Sequence, residues 1–504
     1  VYKRQRSFNK HNLNLSVAWE ASSGSSDATN VHYRGFPSGQ FHSSNYAAEI
    51  YEKPSRTEGT SRMVSAWATG NYTWNDIYLA DFSVRFDGSS DFGSKQRWAP
   101  FFSGGLGVNI HNYEFLKGNE MVNKLKVRAS YGRTGKASFP AYAATTMYEA
   151  LFDEWYATGF GAVLKALGNN NLTWEKTDKF NVGIEMQFLN RRLTVDADYY
   201  HDKTIDLVND VSLSQTSGFS SYKDNMGEVL NQGFELQVRG EVFRNRDWLV
   251  ALWGNMAHNK NKILKISDSQ RAYNQRVKEF YENIVNEEYG RYNSKYGVPI
   301  SQYEEGQSLT SIWAVKSLGI DPTTGKEIFL NRDGSVSDTW NATQEVAVGN
   351  TEPKFNGSIG FNAAYKQWSL FAAFQYEWGG QEYNQTLVDR VENARIQYQN
   401  VDLRVLTDRW KQPGDIAQFK DIKNADSATM PTSRFVQDKA YLRLSALTLS
   451  YDFNREWIKK YLGMNMLRLE ASTRDFINWN SIRQERGLSY PKSWTVDFSI
   501  KAQF

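Results

Sequence analysis

Six histidines, His11, His32, His42, His111, His201 and His258, are the first residues in this chain with chemistry to offer. A helical zinc site needs two imidazoles one turn apart, and none of these pairs at i, i+4 or forms HExxH. The chain has no cysteine, which removes disulfides, zinc–thiolate sites and thiol nucleophiles together. Gly104-Gly105-Leu106-Gly107 is glycine-rich, but a phosphate loop must open a helix and none follows. These glycines instead fit bending or close packing within a strand. In SYGRTGKA, residues 130–137, Ser130 stands where a Walker loop needs its first glycine and Ala137 where it needs Ser or Thr. Asp153-Glu154 is an adjacent acid pair with no second group at a glycosidase spacing. No Ser/His/acid set assembles on one surface, so neither an enzyme nor a cofactor or metal site is expected.

The charges that remain are spaced by two inside apolar stripes. Tyr78, Ala80, Phe82, Val84 and Phe86 alternate with Asp81, Ser83, Arg85 and Asp87. Arg128, Glu185, Asp196, Asp198, Glu235, Arg239, Glu470 and Arg474 take corresponding places in other stripes. This is the period of a strand, whose side chains point to alternate faces. Fourteen such strands are expected, with stripes at 13–19, 64–74, 78–86, 102–110, 125–131, 180–188, 193–199, 234–238, 250–256, 359–365, 368–376, 447–453, 467–471 and 494–504. The last, WTVDFSIKAQF, carries its apolar set to Phe504.

Connections decide between a soluble sandwich and a membrane barrel. Asn75-Asp76, Asn190-Arg191-Arg192, Arg244-Asn245-Arg246 and Lys366-Gln367 are short, while 22–61, 133–170, 201–225, 259–348 and 379–436 are long, and the two kinds alternate. Short periplasmic turns and long external loops mark an outer-membrane barrel. Ile312–Leu318 would break the alternation if it crossed the membrane, so it is assigned, with Glu327–Leu330, to a hairpin inside the long loop. Tyr72, Trp74 and Tyr78 flank one short turn, and Tyr365 and Trp368 another, as a headgroup-level aromatic girdle requires.

Composition agrees. Lys plus Arg number 59 against 56 Asp plus Glu, and no basic cluster with interleaved aromatics argues for nucleic acid. Mean hydropathy is −0.61, and no run approaches the roughly 18 apolar residues of a membrane helix. A barrel strand turns only every second residue to lipid, so low hydropathy is compatible with a membrane. VYKRQRSFNK is not a signal peptide, which makes a mature or truncated form the expectation. On a barrel, Asp81, Arg85, Arg128, Glu185, Asp196, Glu235, Arg239 and Arg474 would line the lumen. Tyr142, Tyr148, Trp155, Tyr156, Tyr289 and Tyr292 fall in external loops, where exposed rings suit a sugar face or a protein partner and where internal packing of a long folded loop is an equal alternative.

Several stretches resemble the SusC/RagA-type TonB-dependent outer-membrane transporters. They are YLADFSVRFDGSSDFG (78–93), RWAPFFSGGLGVNI (97–110), LKVRASYGRTGK (125–136), NNNLTWEKTDKFNVGIE (169–185), NMGEVLNQGFEL (225–236), VGNTEPKFNGSIGF (348–361) and YLRLSALTLSYDF (441–453). The ending YPKSWTVDFSIKAQF matches too, and the stretches arrive in family order over nearly the whole chain. The resemblance implies an all-β, 22-stranded transmembrane barrel, of which about fourteen C-terminal strands are present here. It implies a Gram-negative source, of the Bacteroidetes, and import of an oligosaccharide or peptide beneath a SusD-like surface lipoprotein. It also implies an N-terminal plug pulled by the TonB complex, and Phe504 as the C-terminal aromatic read during assembly. No plug-like segment or TonB box is legible, so the plug and remaining strands are expected from another chain or a missing N-terminal part. A self-contained fourteen-stranded passive channel is the alternative, ahead of a barrel enzyme and a soluble lectin-like β protein.

Overall fold

The computed structural model describes the chain apart from residues 1, 38, 40–42, 94–95, 137–141, 143, 157–158, 213–220, 226, 287–296, 395, 397–400, 425–428, 454 and 483–493. One antiparallel sheet dominates it, and its strands follow chain order without a crossover. They are β1 (Tyr2–Phe8), β2 (His11–Asn30), β3 (Ser55–Trp74), β4 (Tyr78–Ser89), β5 (Trp98–Asn109), β6 (Val122–Lys136), β7 (Glu175–Phe188) and β8 (Leu193–Ile205). The series continues through β9 (Glu228–Arg244), β10 (Trp248–Lys265), β11 (Phe355–Tyr365), β12 (Trp368–Tyr383), β13 (Val436–Asp452), β14 (Met466–Thr473) and β15 (Val496–Gln503). Asn478–Asn480 adds a short stretch beside β13.

All fourteen expected strands are present, and β1 makes a fifteenth. The sequence conceals β1 because Arg4 and Arg6 lie in register with the apolar Leu15 and Leu13, so it shows no stripe. The sheet is open: among the described residues, β1 and β15 are its two ends and do not pair.

Why these residues make strands is visible in the register. A single row of neighbours runs Trp74, Tyr78, Val108, Val127, Ile184, Ala197, Leu236, Met256, Gly357, Tyr376 and Leu442. It begins at the short-turn end of β3 and finishes beside Trp479 at the long-loop end, the stagger of tilted barrel strands. Large apolar residues of this face stand in the open, with Val17 58 %, Leu106 70 % and Ile500 73 % exposed. A contiguous apolar face of this extent has to be covered, and lipid covers it.

The band occupies the lower half of the long strands only. In β2 and β3 it gives way to paired Ser23 and Arg62, Ser25 and Thr60, and Asp27 and Glu58 on the same face. A 20-residue strand at about 3.3 Å per residue far exceeds the roughly 30 Å hydrocarbon core. The upper halves therefore stand in water, which is why the polar segment 22–30 is strand although it reads as loop.

Connections sort by side as expected, but not strictly by length. The link 90–97 on the long side is brief, and 110–121 and 453–465 on the short side are extended by the turn Ile110–Asn112 and the helix Arg455–Leu462. Short turns use left-handed residues: Asn75 and Asp76 both have φ near +55° (54° and 56°), as a two-residue hairpin with the sheet's twist requires. The expected hairpin in the long loop forms between Lys316–Ile320 and Glu327–Leu330, whereas Ser311–Ala314 pairs instead with Val346–Asn350.

Rings ladder both margins of the apolar band. Trp74 stacks on Tyr78 at 5.2 Å and Trp248 packs on Tyr365 at 4.5 Å at the short-turn end. At the long-loop end Phe86 stacks on Trp98 at 5.3 Å, and Phe234, His258, Phe355 and Trp378 form a second run. Only the first margin was expected from the sequence.

The two faces give a paired test. Val84→Lys puts an ammonium in lipid, at about 2–4 kcal/mol near the midplane, whereas Ser83→Lys puts it on the polar face. The heat-modifiable fraction on detergent gels should fall sharply for the first and stay near wild type for the second.

Candidate functional site

Adjacent strands bring the sequence-predicted polar residues into contact. Arg128 on β6, Gly183 on β7 and Asp198 on β8 are neighbours in one row. Arg128 Nη2 donates to Asp198 Oδ1 at 2.5 Å, passing over Gly183, where a Cβ would overlap the Asp198 carboxylate. Glu185 receives Lys124 Nζ at 2.5 Å, with Lys126 Nζ at 3.4 Å and Arg128 Nε at 3.3 Å. Glycine supplies the room that lets long side chains pair across three strands.

On β4, Arg85 Nε donates to Asp87 at 2.6 Å and its Nη2 to Ser65 at 2.9 Å, while its guanidinium lies 5.1 Å from the Trp67 ring centre. Asp81 sits against Gly105, where a Cβ would come within 2.8 Å of its carboxylate. Asp196, Glu235 and Arg239 share the same face through the β8–β9 register. Arg474 falls one residue past β14, on the long-loop side.

Above this charged wall lies a cleft of about 580 Å³ lined by Ser61, Arg85, Asp87, Asp91, Phe101 and Trp174 among others. Its aromatic side is rigid: Phe92 stacks on Trp174 at 4.2 Å, and Trp174 Nε1 donates to the Arg97 carbonyl at 3.2 Å. Carboxylates, a guanidinium, hydroxyls and ring faces together suit a hydroxylated or peptide-like ligand.

The connections 266–354 and 384–435 fold together into a platform at the long-loop end. The first contains α1 (Asp268–Asn286), whose Val277 and Tyr281 are buried with Ala342. The second buries Val388, Val391, Ala394, Val405, Phe419 and Phe435. Trp410 Nε1 donates to the Pro322 carbonyl at 2.8 Å and Trp340 Nε1 to the Pro431 carbonyl at 2.9 Å, each joining the two segments.

Between them is a buried charge cluster. Arg434 Nη2 lies 2.9 Å from Glu327 and 2.6 Å from Glu392, and Thr432 Oγ1 donates to Glu327 at 2.6 Å. Nearby, Arg409 Nη1 donates to the Lys420 carbonyl at 2.8 Å, and Lys420 Nζ donates to Thr429 at 3.0 Å. Burial alone would raise the Glu327 carboxyl, but the Arg434 guanidinium outweighs it and holds Glu327 below the usual range. Burial lowers both Arg409 and Lys420. Sequence reading missed this cluster, since Glu327 and Arg434 are 107 residues apart.

The predicted loop aromatics are not brought together as one site. Tyr142 is part-exposed, and its hydroxyl accepts the Thr60 backbone N–H at 3.2 Å. Tyr148 is 70 % exposed on the hairpin Met147–Tyr156/Gly159–Ala166, whose backbone also carries Trp155 and Tyr156. Tyr289 and Tyr292 lie outside the described residues. Phe504 follows the end of β15 and is 79 % exposed.

Comparison with known proteins points one way. The family described as TonB dependent receptor-like, beta-barrel matches residues 2–472. TonB-dependent receptor P3 of Formosa agariphila is 26 % identical over 482 residues, 94 % of this chain and 47 % of that protein. TonB-dependent receptor SusC of Bacteroides thetaiotaomicron is 31 % identical over 282 residues, 51 % of this chain and 28 % of that protein. The RagAB peptide importer in its open-open state superposes with a TM-score of 0.80 at 22 % identity, over 100 % of this chain and 54 % of that one. The likeness to RagAB establishes the fold. The chain spans about half the length or less of the curated relatives it matches.

Two predictions concern the platform. Arg434→Met removes the guanidinium that pairs with both Glu327 and Glu392, leaving only the more distant Arg409 and Lys420, at about 3–5 kcal/mol. Hydrogen exchange of 311–350 and 384–435 should accelerate while strand amides of β2–β9 stay protected. The exposed Lys326–Asp338 pair, 3.3 Å apart, should matter little: Lys326→Ala should leave those exchange rates at the wild-type level.

Glu345 supplies a pH dependence. It is buried, accepts from Gln302, and its Oε1 has no partner. Burial pushes its carboxyl from 4.5 up to about 8, against the weaker pull of Gln302, Lys278 and Arg332. Its folded pKa is the higher one, so the linked stability is full at low pH and is lost as pH rises from about 4.5 through about 8. The loss is at most about 5 kcal/mol. Proteolysis of the platform should therefore quicken between about pH 5 and 8 in the wild type and level off above that, and Glu345→Gln should flatten the rise.

Proposed function

The chain belongs to the TonB dependent receptor-like beta-barrel family, and on that footing we propose that it is the C-terminal barrel wall of an active nutrient importer. It is a protein of the Gram-negative outer membrane, and its barrel is of the SusC/RagA type. The cargo is an oligosaccharide or a peptide, captured beneath a SusD-like surface lipoprotein and passed inward when the TonB complex displaces a plug. The observation that carries this reading is the open fifteen-stranded sheet with an apolar outer face and a charged inner one. Each free edge holds unpaired backbone groups that cost several kcal/mol apiece in lipid. Further strands, on another chain or a preceding part of this one, therefore complete the wall, and the plug fills it.

Within this reading the inner-wall charges have two tasks. Arg128, Glu185 and Asp198 are paired across strands and hold the wall's shape. Asp81, Arg85, Asp196, Glu235 and Arg239 face the plug or the passing cargo, with Arg474 at the outer mouth. The cleft around Arg85, Asp87 and Trp174 is the first inner-wall contact for cargo arriving from outside. Tyr142, Tyr148, Trp155 and Tyr156 offer rings to cargo or lipoprotein, and Tyr289 and Tyr292 are proposed for the same role. The mechanism needs binding and release alone, with no bond made or broken.

Affinity purification from envelopes tests the reading. A lipoprotein and plug-bearing sequence should be recovered with the chain, and uptake of cargo should stop when the proton-motive force is collapsed. A stable, open pore formed in liposomes by the 504 residues alone would overturn the proposal in favour of a passive channel.

A further inference from the structure

The helix Arg455–Leu462, here α2, links β13 to β14 at the short-turn end, where a barrel meets the periplasmic leaflet. Its residues divide into three directions. Ile458 is 1 % exposed and packs inward, while Trp457 and Tyr461, one turn apart, are 48 % and 63 % exposed. Glu456 and Lys459 are also exposed and lie away from both. An exposed Trp–Tyr pair on a short helix is costly in water unless something covers it.

What covers it follows from the surface it continues. Trp368 and Tyr451, both on the lipid-facing side, have ring centres 4.8 Å apart. Tyr451 meets Phe453 at 5.0 Å, Phe453 stacks on Trp457 at 6.1 Å, and Trp457 packs on Tyr461 at 5.8 Å. The rings make one unbroken strip from the apolar band onto the helix. At its far end Lys460 Nζ sits 5.3 Å from the Tyr461 ring centre, placing an ammonium at the strip's margin. Among the described residues, no carboxylate pairs with Lys459 or Lys460. A lipid-directed aromatic face edged by Lys460 is the pattern of an interfacial helix, with rings at headgroup level and the ammonium group on a phosphate.

We propose that α2 is a membrane-interface anchor: Trp457 and Tyr461 lie in the headgroup layer of the periplasmic leaflet, and Lys460 at their margin holds anionic phospholipid. The inference rests on the outer-membrane barrel and is independent of what is imported. By fixing the β13–β14 turn at the bilayer surface, it sets the depth of the strands that approach one edge of the sheet.

These 504 residues hold no cysteine, so an introduced thiol is the only one they contribute; cysteines elsewhere in the assembly are replaced by serine before labelling. Tyr461→Cys and Glu456→Cys are labelled in the complete assembly in phosphatidylcholine–phosphatidylglycerol vesicles, after heat-modifiable mobility confirms folding. The label at 461 should relax with oxygen and be shielded from a water-soluble nickel chelate, and the label at 456 should show the reverse. Equal nickel access at both sites overturns the proposal. Shielding at 461 from both reagents overturns it too, because a protein partner then covers the face. Lys460→Gln should lose phosphatidylglycerol retained through detergent extraction several-fold, Lys459→Gln should not, and added inorganic phosphate should not displace that lipid. Unchanged retention, or displacement by phosphate, would rule out the lipid contact.

Discussion

A backbone amide or carbonyl in hydrocarbon has no water to turn to, so every one within the membrane must find a partner in the protein. That constraint fixes most of what this chain does. It forces consecutive segments to pair as neighbours, which the unbroken order from β1 to β15 realises. Pairing then forces the alternation of faces, and alternation lets one sequence satisfy lipid outside and charge inside. Arg128 can reach Asp198 across β7 because Gly183 between them has no side chain to spend on either task.

Pairing also explains what was legible in the sequence. Wherever one face meets lipid, the period of two is strong, as in Phe82, Val84 and Phe86 against Ser83, Arg85 and Asp87. Where both faces meet water the signal vanishes although the strand continues, as in the Ser-rich 22–30 of β2, which pairs residue by residue with 55–63. β1 was invisible for a related reason, since Arg4 and Arg6 occupy its outward register positions. The family resemblance, carried by separate stretches along the chain, added the class of protein that alternation alone left open.

The platform obeys different physics. The described residues of 266–354 and 384–435 stand in water and are held by small buried cores and by charges that meet only after the chain has folded. Glu327 lies in a hairpin whose β pattern was legible, yet its partner Arg434 comes from the end of the other long connection. Nothing about a glutamate in EIFL or an arginine in TSRF marks them as one site. Tyr281 on α1 is fully buried, its hydroxyl donating to the Val298 carbonyl at 2.9 Å, a packing role that its place in a long polar connection does not announce.

The two regimes meet where the strands outrun the membrane. A wall made only of lipid-length strands would end at the headgroups and leave its external loops to find their own footing. Here β10 and β12 rise past the outer aromatic margin at His258 and Trp378, and the platform is built directly on them. Asn261 on β10 accepts from the Leu309 backbone N–H at 2.8 Å, and Gln381 on β12 accepts from that of Asn350 at 3.1 Å. Arg434 itself lies two residues before β13 begins. A tug on the platform from outside is therefore transmitted into three wall strands at once, through hydrogen bonds that already exist. Such a connection makes the platform a rim fixed to the wall, held at a constant height above it by β10, β12 and β13.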